Sequence, residues 1–436
     1  MVRKIFAFLL AVMFALPSFA ASQINDTETE KLLSELIAPL AKAASIPDGR
    51  LKIHIVDDDD FNAFVSGGED VYIYTGLLKQ IKSTSALQAV IAHEMGHMLG
   101  GHMTQIADRM SAEMKRTMLI QALGIGLMVA GGNPSLGAGV LAGSSGVAQQ
   151  SLLAFTRDEE RIADSMGLDL MISAKQNTDG FVTVFEQMQE QTGVMEAKIN
   201  PNRINHPLTA ERLNNIKAQI KQKNIKYNQS NNIASSKSGE YELVRAKLIG
   251  YLDTPKYVLE KYPYVDKSDK ALYARAIANM RNGNLDAAKM GTQTLIARQP
   301  DNPFFYELLG DIEYQFGHYD DSVTAYEKSL SLSKNAPQIQ TALALVLTER
   351  RKPNDIQRAI ELCKSSLLNE PTAFTYWVLA RAYGEEDTGR NAWAMAEYYH
   401  MIGKKDKAKK YAKTAQKRLK KTDPEYIKAG DLMQIK

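Results

Sequence analysis

Cysteine is almost missing from this chain: Cys363 is the only one among 436 residues, so no intramolecular disulfide can form. Stability must then come from packing and from any bound metal. Charge of one sign is missing as well, because 53 lysines and arginines against 50 acids leave a net charge of only +3. That excess is too small to imply a nucleic-acid partner. Long apolar runs are cut short too. In MLIQALGIGLMVAGGNPSLGAGVLAGSSGV (118–147), glycine and proline interrupt every run before it reaches membrane-spanning length. Histidine is scarce, with seven in all, yet three of them fall within AVIAHEMGHMLGGHM (89–103), a stretch that otherwise reads as a buried helix.

What is present fits a globular chain. Hydrophobic residues make up 44% and charged residues 24%, near the average for soluble proteins. The length is roughly three times the ~150 residues expected of one domain, so at least two cores are expected. The first residues, MVRKIFAFLLAVMFALPSFAAS, run from Arg3 and Lys4 through an apolar stretch to Pro17 and small residues. This pattern predicts a secretory signal peptide over 1–20, cut after Ala20.

Residues 21–220 mix two periodicities. LKIHIV (51–56) alternates apolar and polar residues, and NAFVSGG (62–68) and VYIYTGLL (71–78) give β-rich runs around a glycine turn. Helical segments follow, one opening near Ser85, where Ser85-x-x-Gln88 resembles a capping box. An α+β domain is expected. The apolar stretch 118–147 reads as cover helices or a flap over a cleft, with contact to lipid or to an unfolded client as the other reading. KQKNIKYNQSNNIASSKSG (221–239) is polar and aperiodic, as an interdomain linker would be.

From 240 to 436 the pattern is all-α. Pro303, Pro337 and Pro371 recur every 34 residues, each ahead of a helix, a turn and a second helix, and residues 271–300 form an earlier unit. This period resembles tetratricopeptide repeats, with Leu309, Gly310, Tyr326 and Leu330 where small and bulky residues would interlock. An insertion at Lys352 to Asp355 interrupts the third unit. GKKDKAKKYAKTAQKRLKK (403–421) carries ten basic residues and one acid, which reads as the solvated face of a capping helix, or as a contact for an acidic partner or an anionic membrane surface.

The chemistry concentrates in HEMGH. Four residues advance a helix by about 400°, so His93 and His97 project from one face only ~40° apart and can share one metal ion. Glu94, one step round, lies beside that ion without binding it and can take a proton from a water there. A zinc hydrolase needs a third protein ligand and an open position. FTRDEERIADSMGLDL (155–170) offers Glu160 as that ligand and, one turn on, Asp164 to accept the ring N–H of a ligating histidine. His102 falls one residue short of the metzincin third-ligand position. On a continuing helix it lies about 900° from His93, on the opposite face, which makes it structural.

His93-Glu94-Met95-Gly96-His97, then Glu160-Arg161-Ile162-Ala163-Asp164 preceded by Arg157, resembles the gluzincin metallopeptidase family that includes the CAAX prenyl protease and the bacterial heat-shock membrane protease. Asn62-Ala63-Phe64, and His206-Pro207 with Arg212 five residues on, are also similar to that family. The resemblance implies a zincin-like fold, with His93, His97 and Glu160 holding Zn2+ and Glu94 acting as base and then proton donor. For His206 it implies one of two roles, stabilising the oxyanion or capping the metal to keep the enzyme latent. The strand Val71, Tyr72, Ile73, Tyr74 is expected at the sheet edge, where an extended polypeptide adds as a further strand. The resemblance also implies a periplasmic zinc endopeptidase whose clients are misfolded or stalled outer-membrane proteins, and whose repeats select clients or dock on the outer-membrane barrel-assembly machinery. A competing class, an assembly adaptor in which zinc only staples the fold, leaves Glu94 without a purpose.

Overall fold

A computed structural model describes residues 22–66, 70–102, 156–195, 206, 209–223, 233–333, 335–384 and 386–435. The expected signal peptide and the apolar stretch 118–147 lie outside them. The chain divides into two compact units at Ser238/Gly239, with Asn25–Leu32 belonging to the second.

The first unit contains a four-stranded sheet in the order β1-β2-β4-β3, from β1 (Ser22–Ile24), β2 (Lys52–Asp57), β3 (Ala63–Ser66) and β4 (Asp70–Tyr74). β2 and β4 run parallel, and β1 and β3 pair antiparallel with β2 and β4 respectively. Alternation sets the two faces: Ile55, Ala63, Val65, Val71 and Ile73 are buried, while His54, Phe64 and Tyr72 stack in a row on the other side. This order corrects the expected edge. Val71, Tyr72, Ile73 and Tyr74 form an inner strand, bonded to β2 on one side and β3 on the other, and among the described residues the edge beside the histidine helix is β3.

The helices are α1 (Thr27–Ala43), whose first turns belong to the second unit, then α2 (Thr75–Gln80) and α3 (Thr84–Leu99), which contact the sheet, and α4 (Arg157–Ser173), α5 (Asp179–Met195), α6 (Ala210–Gln222) and α7 (Ile233–Ser236). The cap of α3 is Ser83, whose Oγ accepts from Ala86 N at 3.2 Å. Ser85 therefore does not cap it, and Gln88 points inward instead, donating to Leu36 O at 2.9 Å. α3 is buried on nearly every side, its polar Gln88, His93, Glu94 and His97 included. Part of the expected linker is helical, since α6 reaches Gln222 and α7 begins at Ile233.

The second unit is helical. After α8 (Ser238–Leu252) and α9 (Pro255–Lys261) come the pairs α10/α11 (Asp269–Arg281, Leu285–Arg298), α12/α13 (Pro303–Gln315, Tyr319–Leu332), α14/α15 (Pro337–Arg350, Asp355–Asn369) and α16/α17 (Ala373–Tyr383, Thr388–Met401). Pro303 and Pro337 occupy first turns, where a missing N–H costs nothing, and Pro371 stands two residues before α16. A Cβ on Gly310 would lie 2.8 Å from the Tyr326 ring, so small and bulky residues do interlock there. The insertion forms a turn with Arg351 and Asn354 at positive φ. The basic run becomes α18 (Lys405–Arg418), which buries Ala408, Ala412 and Ala415; it is followed by α19 (Pro424–Met433), so it does not end the array. Cys363 is fully buried in this unit's core, and burial pushes its thiol up to about 12.

Two glycines decide how the first unit closes. A Cβ on Gly96 of α3 would lie 2.4 Å from the Ala163 carbonyl oxygen of α4, and a Cβ on Gly167 of α4 would lie 2.7 Å from the Ala92 carbonyl oxygen of α3. The two helices therefore cross backbone to backbone. Gly96→Ala gains about 1 kcal/mol in helix propensity. It must also drive two packed backbones roughly 1 Å apart, and such overpacking costs about 1–3 kcal/mol or more. A net loss of stability in urea titration is therefore expected. Stability equal to or above the parent's would contradict the close crossing.

Candidate metal centre

The crossing of α3 and α4 brings together side chains more than sixty residues apart. Thr156 caps α4 through a full capping box, Glu159 N donating to its Oγ1 at 3.2 Å and its own N donating to Glu159 Oε2 at 2.7 Å. That box fixes the first turn, and Glu160 is the next residue on it. Thr156-x-x-Glu159 is a readable signal for this helix start.

His93 and His97 present their Nε2 atoms 3.1 Å apart. Glu160 Oε2 lies 3.4 Å from His93 Nε2, and its Oε1 lies 3.5 Å from His97 Nε2. His206 Nδ1 joins them, 3.3 Å from His93 Nε2 and 2.7 Å from Glu160 Oε1. One ligand atom from each of these four residues falls within 4.8 Å of all the others. A tetrahedral zinc ion holds its ligands at ~2.0–2.2 Å, which puts neighbouring ligand atoms ~3.3 Å apart. The spacings among His93, His97 and Glu160, at 3.1, 3.4 and 3.5 Å, therefore suit such an ion.

Around these donors the expected support is also in place. Asp164 Oδ1 lies 2.9 Å from His93 Nδ1, close enough to favour the tautomer that offers Nε2 to a metal. Glu94 is buried beside the donors, its Oε1 3.5 Å from His206 Nε2. Arg212 is the functional residue that pattern reading underuses. On α6, started by the Thr209 cap, it donates from Nε and Nη2 to Asp164 at 2.8 Å each and sets Nη1 2.6 Å from Glu160 Oε2. One guanidinium thus clamps the candidate carboxylate ligand and the residue that orients a histidine ligand. His102 does not lie on the far face. Its Nδ1 sits 3.0 Å from His97 Nδ1.

Burial and charge set the protonation of these groups. Burial pushes His97 down to about 3, which keeps the ring neutral and its lone pair available. Burial also works to lower His93, but the Asp164 and Glu160 carboxylates outweigh it and raise the ring to about 9 while no cation shares the site. Burial works to raise Glu160, yet contacts from His206, His93 and His97 hold it well below the usual carboxylate range. Asp164 is likewise held down against its burial by Arg212 and His93. Glu94 goes the other way, its burial lifting it above the ordinary carboxylate value. Two carboxylates kept ionised beside one carboxylate made more basic is an arrangement suited to binding a cation and moving a proton.

Comparison with known proteins agrees with this chemistry. Residues 27–220 match peptidase family M48. The beta-barrel assembly-enhancing protease of Escherichia coli K12 is 23% identical over 89% of this chain and 79% of its own length. The mitochondrial metalloendopeptidase OMA1 of Schizosaccharomyces pombe is 25% identical over 45% of this chain and 55% of its own. Among solved structures, a thermophilic TPR protein of Thermus thermophilus aligns with 45% of this chain and 94% of its own at 18% identity and a TM-score of 0.26. No helix among the described residues is long and apolar enough to cross a membrane. Residues 27–220 form a peptidase M48 domain, and the chain is a metallopeptidase with a region of tetratricopeptide-like helix pairs after that domain.

Proposed function

We propose that this chain is a periplasmic zinc endopeptidase that removes misfolded or stalled outer-membrane proteins, with its helical repeats selecting clients or docking on the barrel-assembly machinery. The observation that carries the enzymatic part is the convergence of His93, His97 and Glu160 beside a buried carboxylate, Glu94, that is not one of the grouped donors. The client class rests on the name of the Escherichia coli relative, a beta-barrel assembly-enhancing protease.

When bound, zinc supplies Lewis acidity, polarising the scissile carbonyl and acidifying water. His93, His97 and Glu160 are its proposed ligands, and Asp164 and Arg212 hold two of them in register. Glu94 takes the proton from the attacking water and hands it to the leaving amine; its raised carboxyl suits both transfers. A client backbone would add to β3, the edge strand that lies against α3, by main-chain hydrogen bonds that are largely indifferent to side-chain identity. That indifference suits unfolded clients.

His206 Nδ1 is the fourth of the grouped donor atoms, so it would have to give up that place for water during turnover. We read it as a residue that would cap the metal at rest and give way when a client enters. Near Glu94, it could also stabilise the oxyanion in the open state. His206→Ala therefore changes proteolysis severalfold, upward if capping dominates and downward if oxyanion binding does. Unchanged cleavage of casein would remove both roles.

The test of the catalytic reading is Glu94→Gln. It should retain one zinc per chain and lose casein cleavage by at least ~100-fold, the share a positioned general base supplies. Wild-type cleavage in this variant would sink the reading. Client maturation that survives while cleavage stops would add an adaptor role to the protease.

A further inference from the structure

A histidine that binds a metal through Nε2 carries its proton on Nδ1, and in a buried site that proton needs an acceptor. His93 has Asp164 for this purpose. His97 is only 1% exposed, and what faces its Nδ1 is a second ring. His102 Nδ1 stands there at 3.0 Å, on an imidazole that is itself 2% exposed and tilted 76° to the His97 ring. One of two facing ring nitrogens must donate and the other accept. With His97 Nε2 turned to the ligand cluster, the donor is His97 Nδ1–H, and His102 accepts as the neutral tautomer that carries its own proton on Nε2.

The chain is built to bring His102 there. α3 ends at Leu99; Gly100 N bonds Gly96 O at 2.9 Å, and Gly101 takes φ +68°, a left-handed turn that folds the chain back. A Cβ on Gly100 would sit 2.5 Å from His102 Nε2, so the gap at residue 100 is what admits the ring.

We infer that His102 is a positioning residue for the metal site: it accepts the Nδ1–H of His97 and so holds His97 Nε2 on the ion. The two ligating histidines are then backed differently, His93 by an anion and His97 by a neutral ring. The His102 ring adds no negative charge to a pocket that already holds Glu94, Glu160 and Asp164. This inference rests on the ligand set proposed above.

The test compares His102→Leu, which removes the acceptor, with His102→Asn, whose Oδ1 reaches the place of the lost Nδ1. Zinc dissociation constants come from chelator competition, alongside the visible spectrum of the cobalt-substituted protein and the melting temperature of the metal-free form. The leucine variant should bind zinc about 10–100-fold more weakly, the usual cost of losing such a partner, and shift the cobalt bands. The asparagine variant should recover most of the affinity, and the two metal-free forms should melt together. Equal affinities for leucine, asparagine and parent would overturn the inference, as would equal losses in both variants. If the leucine variant fails to fold, imidazole nitrogen-15 spectra of the zinc-loaded parent decide: protons on His97 Nδ1 and His102 Nε2 support the assignment, and any other pair of tautomers overturns it. A parent chain that binds no zinc at all would instead fail the proposed ligand set.

Discussion

Everything in the catalytic domain depends on α3 and α4 touching backbone to backbone at Gly96 and Gly167. A side chain at either position would hold the helices apart by roughly the length of a bond, and the donors would no longer meet. Displacements of ~1 Å in such a site typically cost about 100-fold in rate. Glycine weakens each helix by about 1 kcal/mol relative to alanine, and the close crossing more than offsets this because it delivers Glu160 and Asp164 to the histidine pair.

The crossing has an electrostatic cost. Glu94, Glu160 and Asp164 are all buried in one small volume, and each lost hydration when the helices closed. Arg212 answers two of them, reaching both carboxylates from a third helix, and the histidines answer the rest. Breaking one partner of such a buried set typically costs ~3–5 kcal/mol, since the remaining charge is left uncompensated. A divalent cation among His93, His97 and Glu160 would complete the neutralisation. With no disulfide available, that ion is also the natural brace for this domain.

Much of this is legible in the sequence. The i, i+4 spacing of His93 and His97 and of Glu160 and Asp164 is a short-range property of helices, and the structure brings all four side chains together. The 34-residue proline period marks the repeat helices for the same reason. What escapes is set by long-range pairing or by small local breaks. Alternation in VYIYTG identifies a strand but cannot say whether one or both edges are bonded, and β4 is internal because β2 pairs with it in parallel across the sheet. Continuing the helix past Leu99 puts His102 on the wrong face, since Gly100 and Gly101 stop it, and the glycine pair is itself the sign to stop. Arg212 enters the sequence reading only through the resemblance after His206-Pro207, because no spacing ties this residue of a third helix to Glu160 or Asp164.

The central claim is that one zinc ion sits among imidazole and carboxylate donors, and zinc-edge X-ray absorption on the purified chain tests it most directly. The account predicts one zinc per chain with nitrogen and oxygen ligands alone at about 2.0–2.2 Å and an imidazole scattering pattern from at least two rings. A sulfur shell at about 2.3 Å, for which Cys363 is the only cysteine source, or a chain that carries no zinc, would contradict it.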